Sequence, residues 1–225
     1  MRTLDVTVLG LVPYETTLQL QRQLLAERIK GAIGDTLLVC EHPATVTLGK
    51  SGSPSSLRVS RSRLEGLGIG FYEVERGGEI TFHCPGQLVL YPIINLGEIK
   101  RDVGWYMRTL EEVAIQTLSH FGVSGIRQTG KTGVWVQDAG TECPTRKICS
   151  LGVKLSRWCT MHGLSLNVAA CEPGFSLIDQ CGMQEVVATS ITEESLVPRT
   201  VQEVIPIIVN HFERFFSYSR IGVFE

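Results

Sequence analysis

The stretch FSLIDQCGMQEVVATS, residues 175–190, sets a cysteine, Cys181, between Gln180 and Gly182 in a segment too broken to be a regular helix or strand. A thiol followed by glycine has an approachable backbone. Its thiolate is a strong nucleophile near neutral pH once a neighbouring cation lowers its pKa from about 8.5. The usual partner is a histidine acting as base, and the chain offers His42, His83, His120, His162 and His211. His120 and His211 fall inside helix patterns and read as structural or solvated. His83 and His162 stand beside glycine-bearing loops, FHCPGQ and MHGL, at the ends of expected strands, where functional side chains gather.

Cysteine and histidine also bind metals, but the chain has no C-x-x-C or H-x-x-x-H, and the spacing of Cys143 and Cys149 matches no common zinc site. No metal is expected. The pair Gly77-Gly78 after Arg76 suggests a phosphate cradle, yet neither G-x-x-x-x-G-K-[ST] nor a G-x-G-x-x-G opening a helix is present. A nucleotide is therefore not implied, and close backbone approach to a ligand fits the pair as well as a bulge does.

The elements that must position these groups sit in a chain of 225 residues with 43% apolar content, enough for one substantial core. Charge is nearly balanced, 21 basic against 23 acidic residues without a block of either sign, which gives no sequence-wide attraction to nucleic acid or an anionic membrane. The longest apolar runs, such as IPIIV and QLVLYPII, are far too short to span a bilayer, so a soluble protein is expected. The N-terminal residues show neither a secretory h-region nor an Arg-rich transit pattern. Seven cysteines at irregular spacing argue for reduced thiols in a cytosol-like compartment.

Periodicity predicts a helix from Tyr14 that closes at Gly31, strands over Thr36 to Cys40 and Thr45 to Leu48 split by a His-Pro turn, and a loop at SGSPSS. Further strands are expected at IGFYEV, Thr81 to His83 and Leu88 to Ile94. The stretch VGWYMRTLEEVAIQTLSHFG reads as the most regular helix, ending at Gly122. TGVWVQD, KICSLGVKL and HGLSLNV are β-rich, and the last helix starts at the capping box Thr200 to Glu203, with Pro206 placed to kink it. Hairpin-like neighbours outnumber strand-helix-strand units. We therefore expect one α+β domain over residues 1–225, with a mixed, largely antiparallel β-sheet flanked by helices.

Four motifs in order, RGGEITFHCPGQLVLYPIINL, GVWV followed by RKICSLGVKL, MHGLSLNV and FSLIDQCG, resemble the lipoyl(octanoyl) transferases over about residues 10 to 215. The resemblance implies the fold of the biotin and lipoate protein ligase catalytic domains. It also implies transfer of an octanoyl group from octanoyl-acyl carrier protein to a specific lysine of lipoyl domains, the first step in making protein-bound lipoate. The acceptors would be lipoyl domains of 2-oxoacid dehydrogenase complexes or the glycine cleavage H protein. No cofactor is implied, since the acyl group travels on the carrier's phosphopantetheine, and the compartment would be the cytoplasm, or the mitochondrial matrix for a eukaryotic source.

Carried over residue by residue, the resemblance makes Cys181 the acyl-carrying nucleophile and Lys147 the group that lowers its pKa. The substrate pocket would use Arg76, Gly77, Gly78, Glu79, Ile80, Thr81, Phe82 and His83, then Ser150, Leu151 and Gly152, and then His162, Gly163, Leu164 and Ser165. Two departures stand out. Cys84 replaces a glycine in HCPGQ, where it would narrow the pocket or offer a second thiol, and Gln180 stands where a proline commonly precedes the nucleophile. The rival readings are an ATP-dependent lipoate or biotin ligase, which does not require the Cys-Gly nucleophile and of which the biotin enzymes' Gly-Arg-Gly-Arg signature is missing, and a noncatalytic relative that binds lipoyl domains.

Overall fold

The computed structural model describes residues 2–137, 145–171, 174–179 and 186–219. In chain order the elements are β1 (Leu4–Leu11), α1 (Tyr14–Ile29), β2 (Asp35–Glu41), β3 (Thr45–Leu48), α2 (Arg61–Gly66), β4 (Gly70–Glu73), β5 (Ile80–His83), β6 (Gln87–Ile93), α3 (Val103–His120), β7 (Gly125–Gln128), β8 (Lys131–Val136), β9 (Arg146–Ser156), β10 (Cys159–Asn167), β11 (Val187–Ala188), α4 (Ile191–Ser195) and α5 (Val201–Phe215). This is an α+β domain, as expected, but its strands form two sheets. Among the described residues the larger runs β1-β2-β6-β10-β9-β8-β7, with β11 beside β9, and the smaller runs β4-β3-β5. Pairing is antiparallel except for β1 with β2, β3 with β4, and β11 with β9.

The apolar runs of β2 and β6 are continuous because both faces of the sheet are covered. Leu37, Val39, Leu88 and Leu90 pack with the stripes of α3 and α5, whereas Leu38, Cys40, Val89 and Tyr91 pack on the other face against Leu20 and Leu24 of α1. Both long helices covering the first face are capped by side chains, α5 by the box its sequence foretells. Asp102 accepts the N–H of Trp105 at the head of α3, and Thr200 and Glu203 form a reciprocal capping box at α5, which spans Pro206 without interruption. Gly122 follows α3 at φ +76°, the left-handed conformation foreseen for it.

The smaller sheet has its own core, in which Val46, Leu48, Ile80 and Phe82 meet Leu64 of α2 and Phe175 and Ile178 of the stretch before Cys181. That core is cross-linked by a disulfide between Cys84 and Cys171, 87 residues apart. This corrects two expectations. The cysteines are not all reduced, and Cys84 neither narrows a pocket nor offers a thiol. The pairing arises because Val168 and Ala169 both donate to the carbonyl of Gly86, which holds the exit of β10 against the β5–β6 turn. Cys40, Cys149 and Cys159 are buried free thiols.

Five elements were not foreseen: β1 at a sheet edge, the short strands β7 and β11, and the short helices α2 and α4. The strands on either side of the His-Pro turn, β2 and β3, belong to different sheets, so this turn is where the chain crosses from one layer to the other. No helix among the described residues is long and apolar enough to cross a membrane.

Candidate active site

The two sheets meet around a cavity of about 440 Å³. One wall is the segment Arg76 to Thr81 with His83, and the other is formed by Lys147, Ser150, Leu151 and Gly152 of β9 and His162, Gly163, Leu164 and Ser165 of β10. The β9–β10 register sets Gly163 opposite Gly152, Leu164 opposite Leu151 and Ser165 opposite Ser150, so two sequence-distant motifs become one surface. Phe82 is a correction. It points out of the cavity into the smaller core, ring against Phe175, because strand alternation turns it away from its neighbours Thr81 and His83. Cys181, together with Gln180 and Gly182, lies outside the described residues.

The walls are joined by backbone. Gly77 donates to the carbonyl of Val153 at 2.8 Å, and a Cβ on Gly152 would come within 2.9 Å of the Gly77 carbonyl, which explains a glycine at that crossing. Arg76, buried, donates to the Thr47 carbonyl at 2.8 Å, to Thr47 Oγ1 at 2.9 Å and to the Gly77 carbonyl at 3.1 Å, so its guanidinium holds the glycine segment in shape.

Lys147 is only 3% exposed, unusual for a lysine, and its Nζ lies 5.1 Å from the ring centre of Trp135. The pairing of β8 with β9 explains how it reaches the cavity. Val134 stands opposite Cys149 and Trp135 opposite Lys147, so Ile148 is an extra residue, a bulge. A bulge re-aims side chains. Here it sends Ile148 and Cys149 into the main core and leaves Lys147 and Ser150 on the cavity. Beyond it, β11 pairs at Arg146 and Lys147, and Thr189 donates to the Lys147 carbonyl at 3.0 Å.

Imidazoles and phenols also line the cavity, His83, His162, Tyr14 and Tyr91, with His42 behind them on Tyr91. His83 donates through Nδ1 to Gln87 Oε1 at 2.7 Å, while the Gln87 amide donates to the Phe82 carbonyl and to Asn167 Oδ1. Those bonds fix the tautomer, so Nε2 of His83 is an acceptor. His42 donates through Nδ1 to the Val12 carbonyl and accepts the Tyr91 hydroxyl at Nε2, each at 2.8 Å. Burial pushes the pKa of His42 down to about 4 and those of His83 and His162 to about 3, so all three rings are neutral at pH 7. Burial raises the Tyr14 and Tyr91 hydroxyls.

His162 sits inside β10 rather than beside a turn, a second correction. Its φ is +56°, left-handed for a residue with a Cβ, and neither ring nitrogen has a hydrogen-bond partner among the described residues. Strain and unmet polar atoms of this kind collect where a structure is built to receive a ligand. Sequence reasoning missed Tyr14, Tyr91, Met107, Lys131, Thr132 and Trp135 as lining residues. Of these, Trp135 had a signal: two residues before it stands Gly133, a glycine inside the strand pattern of TGVWV, which marks close approach of a neighbouring segment.

The arrangement is a partly open cavity lined by a buried lysine and by neutral hydrogen-bonding rings. It suits an apolar tail with a reactive polar head. The lipoyl protein ligase A/B catalytic domain family matches residues 13–213. An octanoyltransferase of Chloroflexus aurantiacus is 47% identical over 195 residues, covering 86% of this chain and 85% of the relative. One from Solibacter usitatus is 41% identical over 219 residues, covering 97% and 96%. The fold is that of a bipartite lipoate protein ligase from Thermoplasma acidophilum, with a TM-score of 0.73 at 14% identity over all of this chain and 89% of that one.

Proposed function

The chain belongs to the lipoyl protein ligase A/B catalytic domain family and is an acyltransferase, and from that premise we propose that it carries an octanoyl group from acyl carrier protein to a lipoyl-domain lysine through a thioester on Cys181. The observation that carries this reading is the burial of Lys147, a cation in the cavity wall within the motif RKICSLG.

The Cys181 thiolate, stabilised by the Lys147 ammonium, attacks the thioester carbonyl of the donor. The C–S bond to phosphopantetheine breaks, the carrier leaves as its thiolate and takes up a proton, and the octanoyl group is held on Cys181. The acceptor amine then attacks the same carbonyl, the amide forms and the Cys181 thiolate is regenerated. A lysine in water titrates near pH 10.4, so only about one in 2,500 is neutral at pH 7 and a base is required. Acylation removes the negative charge beside Lys147 and lowers the cost of its deprotonation, which lets the same lysine take the amine's proton.

The exchange of a thioester for an amide runs downhill, which agrees with the lack of a nucleotide-binding motif and calls for neither ATP nor metal. The methylenes of the tail, at about 0.8 kcal/mol each, supply at most about 5 kcal/mol of binding in the slot. The relatives are bacterial, and the reading places the enzyme in the cytoplasm with lipoyl domains of 2-oxoacid dehydrogenase complexes or the glycine cleavage H protein as acceptors.

Incubation with octanoyl-acyl carrier protein in the absence of ATP should give a hydroxylamine-sensitive octanoyl adduct on Cys181, read by mass spectrometry, that chases onto a lipoyl domain. Cys181→Ala should abolish it. An adduct that survives this substitution, or modification that requires ATP and free acid, would overturn the mechanism.

A further inference from the structure

Glu111 of α3 is buried, its side chain 1% exposed. Its Oε1 accepts the N–H of Gly133 at 3.1 Å, and its Oε2 accepts Arg108 at 2.6 Å and Arg127 at 3.1 Å. A buried carboxylate needs such partners, and here they span α3, β7 and β8. Gly133 is the strand residue two before Trp135, with φ +123°, a region closed to residues with a Cβ. A Cβ there would lie 2.6 Å from the Cys149 carbonyl, 2.9 Å from Lys147 Cε and 3.5 Å from Lys147 Nζ. The stem of Lys147 therefore lies over the bare Cα of Gly133, next to the bulge that aims it at the cavity.

We infer that Glu111 is a positioning residue for Lys147: its carboxylate anchors the Gly133 amide, and Gly133 is the floor on which the lysine rests. The two guanidiniums complete the device. They hold the other carboxylate oxygen, Oε2, and so keep the anchor in place. The inference rests on the proposed role of Lys147 as activator of the Cys181 thiol.

The test uses Glu111→Ala, Glu111→Gln and Gly133→Ala in the full chain, with far-UV circular dichroism to normalise for folded protein. Per folded molecule, Glu111→Ala should lower kcat for octanoyl transfer at least about tenfold, the scale of a misplaced catalytic group. The donor KM should stay within about twofold, and the pH at which iodoacetamide half-modifies Cys181 should rise. Gly133→Ala should do the same. Glu111→Gln keeps an acceptor for the Gly133 amide and should restore a large part of kcat and of the alkylation midpoint. Wild-type kcat and midpoint in Glu111→Ala, or Glu111→Gln no better than Glu111→Ala, would overturn the inference even if Gly133→Ala does not fold. Absence of any adduct on Cys181 in the unaltered protein would instead remove the reading of the site on which it stands.

Discussion

The two walls of the cavity are built on different principles. The β9–β10 wall belongs to the large sheet, covered by helices on both faces, and its shape follows from strand register, one bulge and the core behind it. The Arg76–His83 wall hangs on a three-stranded sheet with a small core, and it is held by a disulfide and by the guanidinium of Arg76. A wall backed by a deep core gets its stiffness from burial. A wall with little core behind it needs specific links, and each link is a place where it can be undone.

The largest expected effect strikes the seam between the walls. His42, His83 and His162 have folded-state pKa values well below the ordinary 6.5, because burial disfavours the charged ring. The unfolded chain therefore binds protons from about pH 6.5 downward while the folded chain resists until about pH 4 to 3. Stability conferred by neutral rings is present above pH 6.5 and is lost as the pH falls. Between pH 6.5 and 4 the slope of unfolding free energy should approach three protons, about 4 kcal/mol per pH unit. Urea titrations across this range measure it, and a flat profile would show that the rings are solvated.

Next is the cross-link. Closing a loop of 87 residues limits the unfolded chain by up to about 4 kcal/mol, so dithiothreitol should lower stability by an amount of that order. Hydrogen exchange should then quicken first in β3, β4 and β5 and leave β9 and β10 protected. Equal loss in both sheets would erase the distinction between the walls.

Arg76→Lys, which cannot make the same set of three hydrogen bonds, should cost about 1–3 kcal/mol. It should raise the donor KM more than it lowers kcat; the reverse would mean that Arg76 acts on the reaction itself rather than on wall shape. The smallest effect is expected at Glu75, held down to about 2 chiefly by hydrogen bonds from Arg22. This pair is half-exposed, so a double-mutant cycle should find less than about 1 kcal/mol, present above pH 4.5 and lost toward pH 2.

Much of this is legible locally. The capping box at Thr200, the stop at Gly122, the strands around RGGEITFH and the strand bearing Lys147 each depend on residues within one or two turns of one another. The misreadings have a common origin. Phe82 belongs to the pocket motif in sequence but not in space, because a strand turns alternate side chains to opposite faces. His162 reads as a turn neighbour because Gly163 follows it, whereas that glycine serves close packing inside β10 against Leu90, whose carbonyl a Cβ would meet at 2.2 Å. Cys84 reads as a pocket change only while its distance from Cys171 is unknown.

By itself the sequence determined the α+β class, the three long helices and most of the strands, the lysine motif and the thiol that the proposed chemistry requires, because periodicity, caps and motif residues are properties of neighbours along the chain. Tertiary structure alone decided that Lys147 lies over Gly133 beneath a bulge, that Glu111 is spent on two arginines and an amide, that three histidines are neutral, and that Cys84 is bonded to Cys171. Each of these depends on groups far apart in sequence meeting out of water, where a missing Cβ, an extra strand residue or a lost hydration shell sets the energy.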